Sequence, residues 1–116
     1  MKGKEVNMWQ RANQGGGGAE YSQIAVGTPA IGATHTITVP SGVTKGVLVA
    51  YGYSTSNMNI NSVTGATLGT KLGRSQASTA GGYETRDYYP CTITGSTIIV
   101  TFAAAGTLEH NIDLIC

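Results

Sequence analysis

Ser96-Thr97-Ile98-Ile99-Val100-Thr101-Phe102-Ala103 is the stretch that decides the fold class. Ile98, Val100 and Phe102 fall on one side of an extended chain, and Thr97, Ile99, Thr101 and Ala103 fall on the other, the period-two pattern of a strand with one face in a core. The turn residues Thr94-Gly95 stand directly before it, as strand punctuation should. The same pattern recurs upstream. In residues 34–39, His35, Ile37 and Val39 share a face opposite Thr34, Thr36 and Thr38, and Pro40-Ser41-Gly42 then turns the chain.

Working outward, residues 46–54 place Val47, Val49, Tyr51 and Tyr53 opposite Leu48, Ala50 and Gly52. Both faces are largely apolar, which predicts a central strand. Further strands are expected at residues 20–26, 62–64, 67–72, 83–89 and 111–116, the last with Ile112, Leu114 and Cys116 on one face and Asp113 on the other. Residues 57–61 and 104–110 read as connections, and residues 74–82 as a small polar loop ending in a glycine pair. No segment after residue 20 has helical periodicity. The expected fold is all-β: a single antiparallel β-sandwich of about seven or eight strands, immunoglobulin-like or jelly-roll-like, with a flexible N-terminal arm.

Four consecutive glycines, Gly15 to Gly18, divide the chain into an arm of residues 1–18 and a sandwich domain of residues 19–116. A run without β-carbons is costly to order and acts as a hinge. Val6, Met8, Trp9 and Ala12 are interspersed with polar residues, enough for about two turns of helix when docked but too short to persist alone in water. Extended, the first twenty residues span roughly 66 Å, enough to reach a neighbouring subunit.

Composition narrows the functional classes. Charged residues make up 11% of the chain, against about a quarter in ordinary domains, and a low-charge surface tends to pack against other protein. A net charge of +1 and a pI near 7.8 give no electrostatic reason to expect nucleic acid or an anionic membrane as partner. No run approaches the roughly 18 consecutive apolar residues of a membrane span, and the first fifteen residues lack the apolar core of a secretory signal, so a soluble, non-exported chain is expected. Cys91 and Cys116 are the only cysteines. A bridge between them requires adjacent strands; free buried thiols are the simpler expectation. With two cysteines and two separated histidines, His35 and His110, no metal site is expected.

Nor does any catalytic constellation emerge. Gly15 to Gly18 lacks the Lys-Ser/Thr ending of a phosphate loop, and Gly73-Arg74-Ser75-Gln76-Ala77 lacks the second glycine of a nucleophile elbow. His35 is expected as a neutral core histidine, and His110 beside Glu109 as a solvated loop pair. Glu84 and Asp87, three apart on a strand, point to opposite faces and cannot cooperate as acid and base. Neither an enzymatic activity nor a cofactor is expected. The most suggestive cluster is aromatic: Tyr83, Arg86, Tyr88 and Tyr89, with Tyr51 and Tyr53 on a neighbouring strand, rings that can fill a protein interface or stack on sugar faces.

The segments Ile37-Thr38-Val39-Pro40-Ser41-Gly42-Val43, Gly46-Val47-Leu48-Val49-Ala50, Ser62-Val63-Thr64-Gly65-Ala66-Thr67-Leu68, Tyr88-Tyr89 and Ile98-Ile99-Val100-Thr101-Phe102 together resemble small β-sandwich modules of bacteriophage structural proteins. Met8-Trp9-Gln10-Arg11-Ala12-Asn13-Gln14, followed by the glycine run, is similar to the start of small phage head or tail proteins. The resemblance implies a virion component, assembled in the host cytoplasm: a capsid decoration protein or a head- or tail-fibre module. It would be present in many copies and bind a capsid or tail protein of the same particle through Met8, Trp9 and Arg11. An oligomer is expected. A carbohydrate- or receptor-binding module working through Tyr83, Arg86, Tyr88 and Tyr89 is the alternative.

Overall fold

Alternating apolar and small polar residues, broken at Gly, Pro and Asn, fold into ten strands in the computed structural model, which describes residues 24–54, 59–103 and 109–116. The strands are β1 (Ile24–Val26), β2 (Ala30–Ile31), β3 (Thr34–Thr38), β4 (Lys45–Ser54), β5 (Ile60–Thr64), β6 (Ala66–Leu68), β7 (Gly73–Thr79), β8 (Gly82–Ile93), β9 (Thr97–Phe102) and β10 (Glu109–Ile115). The expected arm of residues 1–18, with Met8, Trp9 and Arg11, lies outside the described residues, as do residues 20–23 of the expected first strand.

Two antiparallel sheets face one another, so the fold is the expected all-β sandwich. The smaller sheet has the order β3-β9-β5. In the larger, β10, β4 and β8 form the centre, and each outer row is split between two short strands: β1 and β2 along β10, β6 and β7 along β8. Counting each split row once gives eight rows in all. β4 is central, as its two apolar faces require, and pairs with β8 continuously from Lys45↔Thr92 to Ser54↔Tyr83.

The core forms where the inner faces meet. Ile37, Ile98, Val100 and Phe102 of the small sheet pack against Leu48, Ala50, Ile93, Ile112 and Leu114 of the large one. Cys91 and Cys116 join this core as free, buried thiols. The register explains why they do not pair. Cys91 lies opposite Gly46, and Gly46 lies beside the end of β10, so one strand separates the two cysteines. Burial pushes both thiols above their ordinary pKa, which keeps them protonated and unreactive.

Three expectations are corrected. Residues 74–82 are not a loop: residues 73–79 form β7, paired residue by residue with β8 from Gly73↔Tyr88 to Thr79↔Gly82. Every β7 side chain is exposed, so no buried face imposes a period-two pattern, and backbone pairing sets the conformation instead. His110 is not solvated. The last strand starts at Glu109, two residues earlier than expected, and the phase of Ile112 and Leu114 carries His110 to the inner face, where it is fully buried. The expected strand at residues 67–72 is also shorter, ending at Leu68.

Gly65 makes the corner at which the chain passes from β5 in the small sheet to β6 in the large one. Its φ is 87°, and its carbonyl accepts the Thr94 and Gly95 N–H groups at 2.9 and 3.1 Å. A Cβ there would collide with the Thr97 carbonyl oxygen. Gly42 also has a positive φ, 81°, but a Cβ there meets nothing. Chemical denaturation should separate the two cases: Gly65→Ala is expected to cost more than about 3 kcal/mol, and Gly42→Ala only about 1 kcal/mol.

Candidate functional site

β4 and β8 carry most of the chemically distinctive side chains, and strand parity sorts them onto two faces. Tyr51 lies opposite Arg86 and Tyr53 opposite Glu84, while Val49 lies opposite Tyr88. Tyr51, Tyr53, Glu84, Arg86 and Tyr88 therefore share the outer face of the large sheet. Tyr83 and Tyr89 share the other face with Asp87. The structure thus divides the four aromatic-cluster residues, bringing Arg86 and Tyr88 together with Tyr51 and Tyr53 and placing Tyr83 and Tyr89 behind them.

On the outer face Tyr51 is held from two sides. The Arg86 guanidinium sits 4.8 Å from its ring centroid, within cation–π range. Its hydroxyl donates to Glu84 Oε2 at 3.4 Å. Partial burial, followed by the Glu84 charge, raises the Tyr51 pKa, so the hydroxyl stays a donor. Beside this pair lies a shallow depression of about 320 Å³, walled by Tyr51, Arg86, Glu109, Asn111 and Asp113. Asn111 Nδ2 donates to Asp113 Oδ1 at 3.2 Å and to the Gly27 carbonyl at 3.3 Å. The same Asp113 oxygen accepts the Gly27 N–H at 3.2 Å. These bonds fix the floor of the depression to the β1 side of the sheet.

The other face carries an ion pair that the sequence does not suggest. Asp87, 1% exposed, receives Arg74 Nε at 2.7 Å and Nη2 at 2.8 Å, a bidentate pair. Lys71 stands 3.6 Å from the same carboxylate. Two pairs further along, Gln76 Nε2 donates to Thr85 Oγ1 at 2.9 Å. Both links join directly opposed residues of β7 and β8, so their role is to hold a fully exposed strand in register. Both oxygens of the Asp87 carboxylate are thus engaged by cations.

At one end of the core, three rings from three strands meet. His110 stacks on Phe102 with centroids 4.8 Å apart, and His35 approaches Phe102 edge-on at 5.6 Å and His110 at 6.2 Å. His35 is the expected core histidine, with Nε2 3.3 Å from the Gly32 carbonyl. Neither nitrogen of His110 has a partner among the described residues. No group of three or more potential metal ligands occurs among the described residues, and no helix there is long and apolar enough to cross a membrane.

Set against known proteins, the chain matches no family model, no curated protein and no solved structure.

The histidine cluster has a pH consequence. Burial, the largest cause, holds His110 below its ordinary value, and its closeness to the His35 imidazole acts in the same direction. As pH falls below about 6.5, the unfolded chain takes up a proton that the folded chain refuses, so stability declines with acid. Denaturation midpoints measured between pH 7.5 and 4.5 are expected to fall for the wild-type chain and to fall less for His110→Leu. The difference in slope is at most about 1.4 kcal/mol per pH unit.

Proposed function

We propose that the chain is a non-enzymatic structural protein of a virion, associated with the capsid, head or tail, held in its particle by residues 1–18 and acting in multiple copies. The observation that carries this reading is the row formed by β1 and β2, where the first 23 residues join the described fold. Ile24, Val26 and Ile31 are 58%, 69% and 68% exposed there, and residues 24–44 contain no charged side chain. Apolar surface of this kind at an uncharged sheet edge suits burial against other protein. The core is built from apolar side chains of both sheets, and Asp87 and Thr85 are bonded across to Arg74 and Gln76. Such an architecture stabilises an assembly by contact, and many weak copies give avidity. Removing residues 1–18 is expected to leave the melting temperature within a few degrees of wild type while abolishing co-sedimentation with the particle; retained co-sedimentation would overturn the reading.

A second reading is a carbohydrate-binding module. The observation favouring it is that Tyr51, Tyr53, Arg86 and Tyr88 share one outer face beside the depression bounded by Asn111 and Asp113. Aromatic rings flanked by amide and carboxylate groups suit a sugar's apolar face and its hydroxyls. Glycan-array signal lost in Tyr88→Ala but kept in Tyr89→Ala, which alters the opposite face, is the outcome expected of this reading. A flat array for the wild-type chain removes it.

A further inference from the structure

The sandwich is closed on one side and open on the other. On the closed side, the Gly65 corner carries the chain directly from β5 into β6. On the open side β1 and β3, the edge strands of the two sheets, lie next to each other with a cleft of about 400 Å³ between them, lined by Ala25, Val26, His35, Ile37 and Asn111 among others.

Hydrogen-bond parity shows what this side offers. Val39 N–H donates to the Ser96 carbonyl and Phe102 N–H to the Ala33 carbonyl. Odd-numbered residues of this stretch therefore direct their main-chain groups at β9. By alternation Thr34, Thr36 and Thr38 direct their N–H and C=O groups away from the sheet, and β3 pairs only with β9 among the described residues. Edge strands of monomeric proteins are normally guarded by charge, proline or a bulge. β3 has none of these.

We infer that the free edge of β3 receives an extended segment from the N-terminal arm of a second copy of this chain, which adds a fourth strand to the small sheet. The inference rests on the reading of residues 1–18 as an interaction arm, and it names the arm's partner. Three observations support that occupant. First, β1 is antiparallel to β10 with Ile24 opposite Ile115, so the chain enters β1 from the Cys116 end of β10. Since His35, at the start of β3, lies against His110, at the start of β10, that entry point is at the far end of β3. The described chain therefore begins at the Thr38 end of β3, not at its Thr34 end. Second, 23 residues span up to about 75 Å when extended, enough to reach another copy. Third, laid out extended against an edge, in place of the helical turns expected of the docked arm, Val6 and Met8 would share the face towards the cleft and Trp9 would take the other, over the threonines. Residues 24–44 carry no charge to repel the arm.

Sedimentation of the full-length chain over a hundredfold concentration range, together with amide exchange, tests this. The wild-type chain is expected to associate, with the Thr36 amide exchanging at least about tenfold more slowly in the associated form than in the monomer. Thr36→Pro removes an outward N–H without breaking the ladder to β9, and Met8→Asp places a charge in the cleft. Both are expected to stay folded and monomeric. Should Thr36→Pro fail to fold, Thr36→Lys adds a guarding charge to the edge without altering the backbone and is expected to be monomeric too. A wild-type chain that is monomeric throughout, association that survives these edge substitutions, or a Thr36 amide already protected in the monomer, as an arm folded onto its own β3 would give, each overturns the inference. If association is absent while deletion of residues 1–18 still blocks particle incorporation, the strand-exchange inference fails and the assembly function stands.

Discussion

Leu48, Ile98, Val100, Ile112 and Leu114 lose all contact with solvent, and the fold depends on their meeting across the two sheets. Each such side chain contributes on the order of 2 kcal/mol on burial, and together they hold a three-stranded sheet against a larger partner. The two sheets are unequal in width, so the small one cannot cover the large one completely. The exposed β7 strand is a consequence of that mismatch. So is the buried ion pair, which holds by side-chain bonds what the core does not reach.

Much of this was legible before any coordinates. β9, β3, β4 and the end of β10 were readable because each has one face in the core, and burial writes a period of two into the choice of residues. β7 was not readable for the converse reason: Arg74, Ser75, Gln76, Ala77 and Ser78 are exposed on both sides, and a strand with no buried face has no pattern to show. Its signal lay in pairs, Arg74 with Asp87 and Gln76 with Thr85, and pairing across a turn is invisible to a window of neighbouring residues. His110 could have been found. Carrying the phase of Ile112 and Leu114 back one more step puts it in the core, and only the polar neighbours Glu109 and Asn111 obscured this. The separation of Tyr88 from Tyr89 was likewise implicit, since adjacent residues on a strand point opposite ways.

The described surface offers edges and faces more than hollows. The outer aromatic surface is organised by the Arg86, Tyr51 and Glu84 contacts, and the open side by unpaired backbone groups. The first can recognise a shape, whereas the second recognises any chain able to lie flat and uncharged along it. A small sandwich with both can be bound into a lattice by one surface and still present another outward.

The split outer rows have a mechanical side. β1 is joined to the sheet by the three pairs Ile24↔Ile115, Ala25↔Leu114 and Val26↔Asp113, with Gly27 bonded to the Ile112 carbonyl just beyond. Tension entering through the N-terminus loads this short seam along its length before it reaches β4 or β9. With three residue pairs against the ten that join β4 to β8, it is the shorter seam, and each residue freed from it adds a few ångströms of extended chain. Were the chain held by residues 1–18 as proposed, this seam would take the load ahead of the strands that enclose the core.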